Sequence, residues 1–261
     1  MLKVLIYNKG NNEDKSGDKL RTAFGTNEDS LTASVFQLLS YLPDEVLWRV
    51  IRQTLKNENL PEMIGKLETI EFWAKWNAEG TTNINFVEPD VFLAFGNLNI
   101  IVEAKRYDAK QQSYWQWKNE LIAYENEYSD NEKTVILWAL GGIHQLKTEE
   151  VSTKKETYKV VKSTWTMLLS TIKSELQKDD NQSRHSQQLL NDLIEAFAFH
   201  GFFVGTWLEE AGFEKQDIKS ESIDYFINDK EKYDSQKWLF SLPKINIQSQ
   251  NLKAIQSWKT H

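Results

Sequence analysis

The chain has 261 residues, of which 40% are hydrophobic and 12% aromatic, enough for one sizeable core and a smaller appended domain. Cysteine is absent, which excludes disulfides, thiolate catalysis and cysteine-based zinc sites. The formal net charge of −7 excludes a protein that coats nucleic acid non-specifically, but it is compatible with a local basic groove beside acidic metal ligands.

The first predicted elements are a short strand and two helices. The strand covers Leu2–Tyr7, and a polar loop follows it. Thr26 as N-cap, followed by acidic residues, predicts the start of a helix whose apolar stripe ends before Pro43. Asp44 predicts the cap of a second helix through Leu55.

Three strands are predicted next. Alternating polar and apolar residues predict a half-buried strand over Leu67–Trp76. The apolar runs Glu88–Phe95 and Leu98–Lys105 flank Gly96-Asn97, and a two-residue connection that begins with glycine predicts a hairpin.

A helix and a fourth strand complete the predicted core. Gln111–Tyr128 has helical periodicity, and Lys133–Leu140 is almost continuously apolar, as is typical of a strand covered on both faces. Such a crossover predicts that the fourth strand runs parallel to the third.

The composition changes after Gly142. Lys147–Lys159 is a polar, lysine-rich connection, and amphipathic helices are predicted over Val160–Leu176 and Gln187–Phe199. We therefore expect a core domain over residues 1–145 and a mainly helical C-terminal extension over residues 146–261.

The predicted hairpin brings charged residues together. Counting outward from its turn, Asp90 faces Glu103 and Glu88 faces Lys105, and Lys105 shares the face of Glu103. Two facing carboxylates repel each other unless a divalent cation lies between them, and oxygen ligands suit Mg²⁺ or Mn²⁺. The opposite face of the hairpin is wholly apolar and supplies a packed backing: Val91, Leu93, Phe95, Leu98, Ile100 and Val102.

These residues resemble a known signature. Pro89-Asp90, a spacer and Glu103-Ala104-Lys105 are similar to the PD-(D/E)xK motif of the restriction-endonuclease-like nuclease superfamily, and the predicted element order over Thr26–Leu140 matches its common core. The resemblance implies an α/β, restriction-endonuclease-like mixed β-sheet core (αβββαβ) flanked by helices. It also implies metal-dependent phosphodiester hydrolysis, with Asp90 and Glu103 as ligands of Mg²⁺ (or Mn²⁺) and Lys105 as the catalytic lysine.

Two further positions follow from the resemblance. Many superfamily members carry an acidic metal ligand on the first helix, which here corresponds to Glu28, with Asp29 as second choice; both also simply favour a helix N-terminus. RecB-like members carry Gln-x-x-x-Tyr on the helix after the lysine strand. This chain departs from that pattern, because Glu120 lies four residues before Tyr124 and Gln116 lies one turn earlier. Gln116 either faces the site or is solvated.

The predicted substrate is DNA, with RNA not excluded. Arg106, Lys110 and Gln116 are the predicted nucleic-acid contacts, whereas the lysines between residues 154 and 162 also fit a solvated face. An endonuclease in restriction, defence, repair or mobile-element processing is the reading by analogy with the superfamily. The alternatives are a surface hairpin with weak charge pairs, roughly 0–1 kcal/mol each, and a non-catalytic nuclease-like DNA-binding or interaction subunit.

We expect the protein to be cytoplasmic. No stretch approaches the length of a membrane span, and the N-terminal apolar run is too short for a signal peptide, so no membrane partner is expected. A homodimer and a partner subunit of a multi-protein system both remain open.

Overall fold

A computed structural model describes residues 22–56, 58, 60–106, 111–128, 133–178 and 183–203. Its helices are α1 (Glu28–Ser40), α2 (Asp44–Thr54), α3 (Tyr114–Glu127), α4 (Trp165–Leu176) and α5 (Arg184–Phe199). Its strands are β1 (Leu67–Phe72), β2 (Trp76–Asn77), β3 (Phe86–Val87), β4 (Val91–Phe95), β5 (Leu98–Ala104), β6 (Thr134–Leu140), β7 (Glu149–Ser152) and β8 (Thr157–Ser163). The predicted strand over residues 2–7 and the last part of the C-terminal extension lie outside these ranges.

Six of the strands form one mixed sheet in the order β1-β4-β5-β6-β8-β7. Strands β1, β4 and β5 are antiparallel neighbours, β6 is parallel to both β5 and β8, and β7 is antiparallel to β8. Strands β2 and β3 form a separate two-stranded sheet. The fold is therefore α/β. Within the six-stranded sheet the predicted order of helix, three-strand meander, helix and parallel strand is confirmed, but β2 and β3, which were not predicted, lie between β1 and β4 in the chain.

The register of the β4–β5 hairpin is the predicted one. Val91 pairs with Val102 and Phe92 pairs with Ile101, and only two residues separate the strands. Because side chains alternate along a strand, this register fixes which residues of β5 face each layer of helices.

The helix caps differ from the predicted ones by one residue. Asn27, not Thr26, caps α1, since its side chain accepts a hydrogen bond from the Ser30 N–H at 2.8 Å. Asp44 lies inside the first turn of α2 and accepts a hydrogen bond from the Leu67 N–H at 3.1 Å, so it ties the helix to β1.

The single strand predicted over residues 67–76 is wrong beyond Phe72. Trp73 has a φ of +51°, which L-residues seldom adopt, and the chain turns there into β2. Ile70 and Phe72 therefore pack on one core cluster, whereas Trp76 belongs to the other.

Two further predictions are wrong, that of a polar connection over residues 147–159 and that of a helix beginning at Val160. These residues form β7 and β8, which extend the six-stranded sheet past residue 145, the predicted end of the core domain. β7 has only one buried residue, Val151, as befits an edge strand, and the polar residues that suggested a loop are its solvent-facing side.

The sheet separates two apolar clusters. The larger one contains residues of α1, α2, α4 and α5 together with Ile100 and Val102 of β5. The smaller one contains residues of α3 together with Ile101 of β5. Odd-numbered residues of β5 therefore face α3, and Glu103 lies between the sheet and that helix. None of the described helices combines the length and the apolarity that crossing a membrane requires.

Candidate active site

Asp90 and Glu103 lie at the end of the hairpin opposite its turn. Asp90 directly precedes β4, and its Oδ2 accepts a hydrogen bond from the Ala104 N–H at 2.8 Å. Glu103 is only 1% exposed. Burial, reinforced by the charge of Glu103, raises the pKa of Asp90 to about 7. The structure thus brings the two carboxyl groups together, as the hairpin register predicts.

Lys105 joins this pair from the residue after β5. Its ammonium binds Oε1 of Glu103 and lies 3.5 Å from Oε1 of Glu28. Burial alone would lower the pKa of Lys105, but the carboxylates of Glu103, Asp90 and Glu28 outweigh it and hold the pKa above its ordinary value. Lys105 is therefore a cation. Glu88, its predicted cross-strand neighbour, is exposed.

Glu28 reaches the same cluster from the first turn of α1. Its Oε2 accepts a hydrogen bond from the Arg106 N–H at 2.7 Å, while Oε1 faces Lys105. Asp29, the second choice for this position, is exposed. Glu28 is thus the acidic residue of α1 that the structure places at the cluster.

Glu120, which departs from the RecB-like sequence pattern, is a fourth carboxyl group of the cluster and is not among the predicted site residues. It projects from α3, is 1% exposed and lies within hydrogen-bonding reach of Glu103. Burial and the charges of Glu103 and Asp90 raise its pKa well above the ordinary value. Its spacing could have revealed it, because residue 120 falls between Trp117 and Tyr124 on the buried stripe of the helix.

A layer of hydrogen bonds holds the end of β5 in place. The Gln112 side-chain amide donates to the backbone oxygens of Glu103 and Gly141, at 2.9 and 3.2 Å, and accepts from the Trp117 indole. The Trp165 indole donates to the Lys105 backbone oxygen at 2.9 Å. Neither Gln112 nor Trp165 is predictable from the sequence, because nothing in their spacing indicates these backbone contacts.

The turn after β6 packs directly on Lys105. A Cβ at Gly141 would lie 2.0 Å from the Lys105 backbone oxygen, and a Cβ at Gly142 would lie 2.6 Å from the Lys105 Cβ. Both glycines also have left-handed φ values, +71° and +64°. The Gly-Gly pair that ends β6 is therefore required by the close approach of the catalytic lysine candidate.

The predicted nucleic-acid contacts are placed differently from one another. Arg106 lies beside the cluster, but its guanidinium donates to the His200 backbone oxygen at 2.6 Å and lies over the Phe202 ring. Gln116 is partly buried on α3, one turn before Glu120. Lys110 lies outside the described residues. Their contact with nucleic acid stays a prediction.

The cluster has the donor chemistry of a site for a hard divalent cation. Asp90, Glu103 and Glu120 offer only carboxylate oxygens, the ligands that Mg²⁺ and Mn²⁺ prefer. Both Glu120 oxygens are buried, and no N–H or O–H donor of the described part of the chain reaches either one. Within the same ranges no three carboxylate or imidazole side chains are already spaced as a closed metal cage. The carboxylate oxygens of Asp90, Glu103 and Glu120 thus suit a hard divalent cation beside Lys105.

Comparison with known proteins gives one informative match. No family model matches the chain, and no solved structure matches it. The chain is 31% identical to the uncharacterized protein PM0110 of Pasteurella multocida (strain Pm70) over 217 residues, which span 77% of this chain and 80% of that protein. The chain therefore belongs to the same family as PM0110.

Proposed function

We propose that this chain is a divalent-cation-dependent nuclease of the PD-(D/E)xK, restriction-endonuclease-like kind. The observation that carries the proposal is the convergence of Asp90, Glu103 and Lys105 at the end of β5. The topology supports it, since β1, β4, β5, α3 and β6 follow in the order of that superfamily's core.

The residues divide the chemistry of phosphodiester hydrolysis among them. Asp90 and Glu103 would hold a Mg²⁺ or Mn²⁺ ion. When bound, the ion would polarise the scissile phosphate and lower the pKa of a bound water. Lys105, a cation at neutral pH, binds the scissile phosphate and offsets the negative charge that develops on it. Glu28 and the Lys105 backbone contacts keep the ammonium in position.

We propose DNA as the substrate and internal cleavage as the reaction. The support for both is the likeness of the motif and element order to restriction-endonuclease-like nucleases, and roles in restriction, defence, repair or mobile-element processing follow by the same analogy. Supercoiled, linear and end-blocked DNA, together with RNA, distinguish the substrate and the cleavage mode in one assay.

The test is plasmid cleavage by the purified full-length chain in Mg²⁺ or Mn²⁺. We expect Asp90→Asn and Lys105→Met to lose about 100-fold or more in rate, because each removes a charge that acts on the transition state. Asp44→Asn is the matched control for Asp90. Asp44 also accepts a hydrogen bond from a backbone N–H, that of Leu67, but it lies on α2 beside the start of β1. Lys133→Met, at the start of β6, is the control for Lys105.

Two outcomes contradict the proposal. Equal cleavage by all variants shows that another site or another protein is responsible. Metal-independent DNA binding by a wild-type chain that cleaves neither DNA nor RNA supports the alternative, a non-catalytic nuclease-like subunit.

A further inference from the structure

In the part of the chain that the structure describes, the carboxyl group of Glu120 is buried without the hydrogen-bond donors that a structural carboxylate has. It lies on α3 among the aromatic and aliphatic residues of the smaller apolar cluster, including Trp117, Leu121 and Tyr124. No N–H or O–H group of the described residues donates to its carboxyl oxygens. A buried polar group without a partner costs about 1–3 kcal/mol, and more when it is charged.

The other buried carboxylate of α3 shows what a structural role looks like. Glu125, 7% exposed, accepts hydrogen bonds from the hydroxyl groups of Thr153 and Tyr158. Glu175, on α4, is likewise bound by Arg49 and Lys178. Glu120 instead has a second carboxyl group, that of Glu103, beside it, where Glu125 has hydroxyl donors and Glu175 has cationic ones.

We propose that Glu120 is a third protein ligand of the divalent cation, completing an oxygen site with Asp90 from the start of β4 and Glu103 from β5. The inference rests on the proposed function for the identity of the ion, and it goes beyond the motif, which contains no residue of α3. It accounts for the two Glu120 oxygens that accept no hydrogen bond from the described residues, because a bound cation would take the place of a hydrogen-bond donor.

The geometry gives each ligand a fixed support. Asp90 is held by the Ala104 N–H, and Gln112 fixes the backbone of Glu103. Glu120 is fixed by the packing of the helix, with Trp117 and Leu121 buried beside it. The three carboxyl groups are not yet spaced as a metal cage, so an ion would draw their side chains together on three rigidly held segments.

The test is Mn²⁺ binding, measured by titration calorimetry on the EDTA-stripped, full-length chain. We expect Glu120→Gln to weaken Mn²⁺ binding about tenfold or more, since loss of even an outer-shell partner costs that much. Glu125→Gln is the matched control: it changes a buried carboxylate of the same helix, keeps an acceptor oxygen and should bind Mn²⁺ like the wild type.

A second variant guards against misfolding. Glu120→Leu places an apolar side chain in apolar surroundings, so we expect its Tm in EDTA to equal or exceed that of the wild type. In Mn²⁺ the order should reverse, because the wild-type chain gains Tm from the bound ion and Glu120→Leu gains less.

The outcomes separate this inference from the proposed function. Wild-type affinity in Glu120→Gln, or no Mn²⁺ binding by the wild type, overturns the inference; in the first case cleavage of DNA can still support a nuclease. If Glu120→Gln loses Mn²⁺ binding while the wild-type chain binds Mn²⁺ but cleaves no nucleic acid, the third ligand is supported and the nuclease proposal is refuted. If Glu120 only donated a proton to Glu103, the Gln amide would replace it without loss of affinity.

Discussion

Removing the charge of Asp90 should change how the stability of the metal-free protein depends on pH. Asp90→Asn keeps the shape of the side chain and an oxygen that accepts the Ala104 N–H. In the wild type, burial and Glu103 raise the pKa of Asp90 from its ordinary value of 3.8 to about 7. Between these two values the folded chain holds a proton that the unfolded chain has released, so folding stability falls as pH rises.

The size of the effect follows from the two pKa values. A difference between 3.8 and about 7 corresponds to about 4 kcal/mol over the whole titration. From pH 5 to pH 8, most of the folded-state titration is covered, and the expected fall is about 2.5 kcal/mol. The same fall should be missing in Asp90→Asn, whose amide does not titrate.

The assay is urea unfolding of both proteins in EDTA at half-unit steps from pH 5 to pH 8. The difference between their unfolding free energies cancels all groups that titrate alike in the two chains. We expect the wild type to lose stability relative to Asp90→Asn as pH rises. A difference that stays constant over this range would refute the close, buried contact of Asp90 with Glu103. Asp44→Asn should give no comparable trend.

Two other substitutions test the frame of the site. Gly141→Ala should destabilise the chain by several kcal/mol, because its Cβ would lie 2.0 Å from the Lys105 backbone oxygen. Gly201→Ala is the control. It also has a left-handed φ (+82°), but nothing lies within 4 Å of its Cβ, so it should cost only about 1–2 kcal/mol. Equal losses on urea unfolding would refute the close approach. Glu175→Gln should cost about 2 kcal/mol of folding stability at pH 7, because it removes the charge of a buried carboxylate that binds two partly exposed cations, Arg49 and Lys178. Burial alone would raise the pKa of Glu175, but those cations lower it, so the loss should shrink as pH falls below about 4; a loss that is the same at pH 3 and pH 7 would contradict this.

Local patterns were sufficient to predict the hairpin that carries the site. Alternation and a two-residue turn fix the register of β4 and β5, because a one-residue slip would turn every apolar side chain of Val91–Phe95 to the wrong layer. Strands β7 and β8 could not be predicted in this way. The exposed residues of the edge strand β7, together with the exposed Thr157 and Lys159 of β8, resemble a loop, although Val151, Tyr158 and Val160 lie in the core.

The site was predictable only as far as strand register reaches. Asp90 and Glu103 are neighbours because they share a ladder, and Lys105 follows by alternation. Glu28 needed the resemblance to a known superfamily. Glu120 belongs to a helix that is distant in sequence, and its contact with Glu103 depends on how α3 packs on the sheet, which periodicity alone does not determine.

The balance of charge explains why such a cluster can persist in a folded protein. Within the described residues, the carboxyl groups of Glu28, Asp90, Glu103 and Glu120 lie around the ammonium of Lys105. Three ionised carboxylates in excess would cost several kcal/mol, mostly at Glu103 and Glu120, which are each 1% exposed. The raised pKa values of Asp90 and Glu120 show how the chain alone reduces that cost, since burial and the neighbouring charges favour the neutral form of each carboxyl group. A bound divalent cation would reduce the cost without the protons, and well-packed apolar residues would avoid it altogether if folding were the only requirement. On the proposed function, the carboxyl groups that weaken the fold are therefore the ones that would bind the cation.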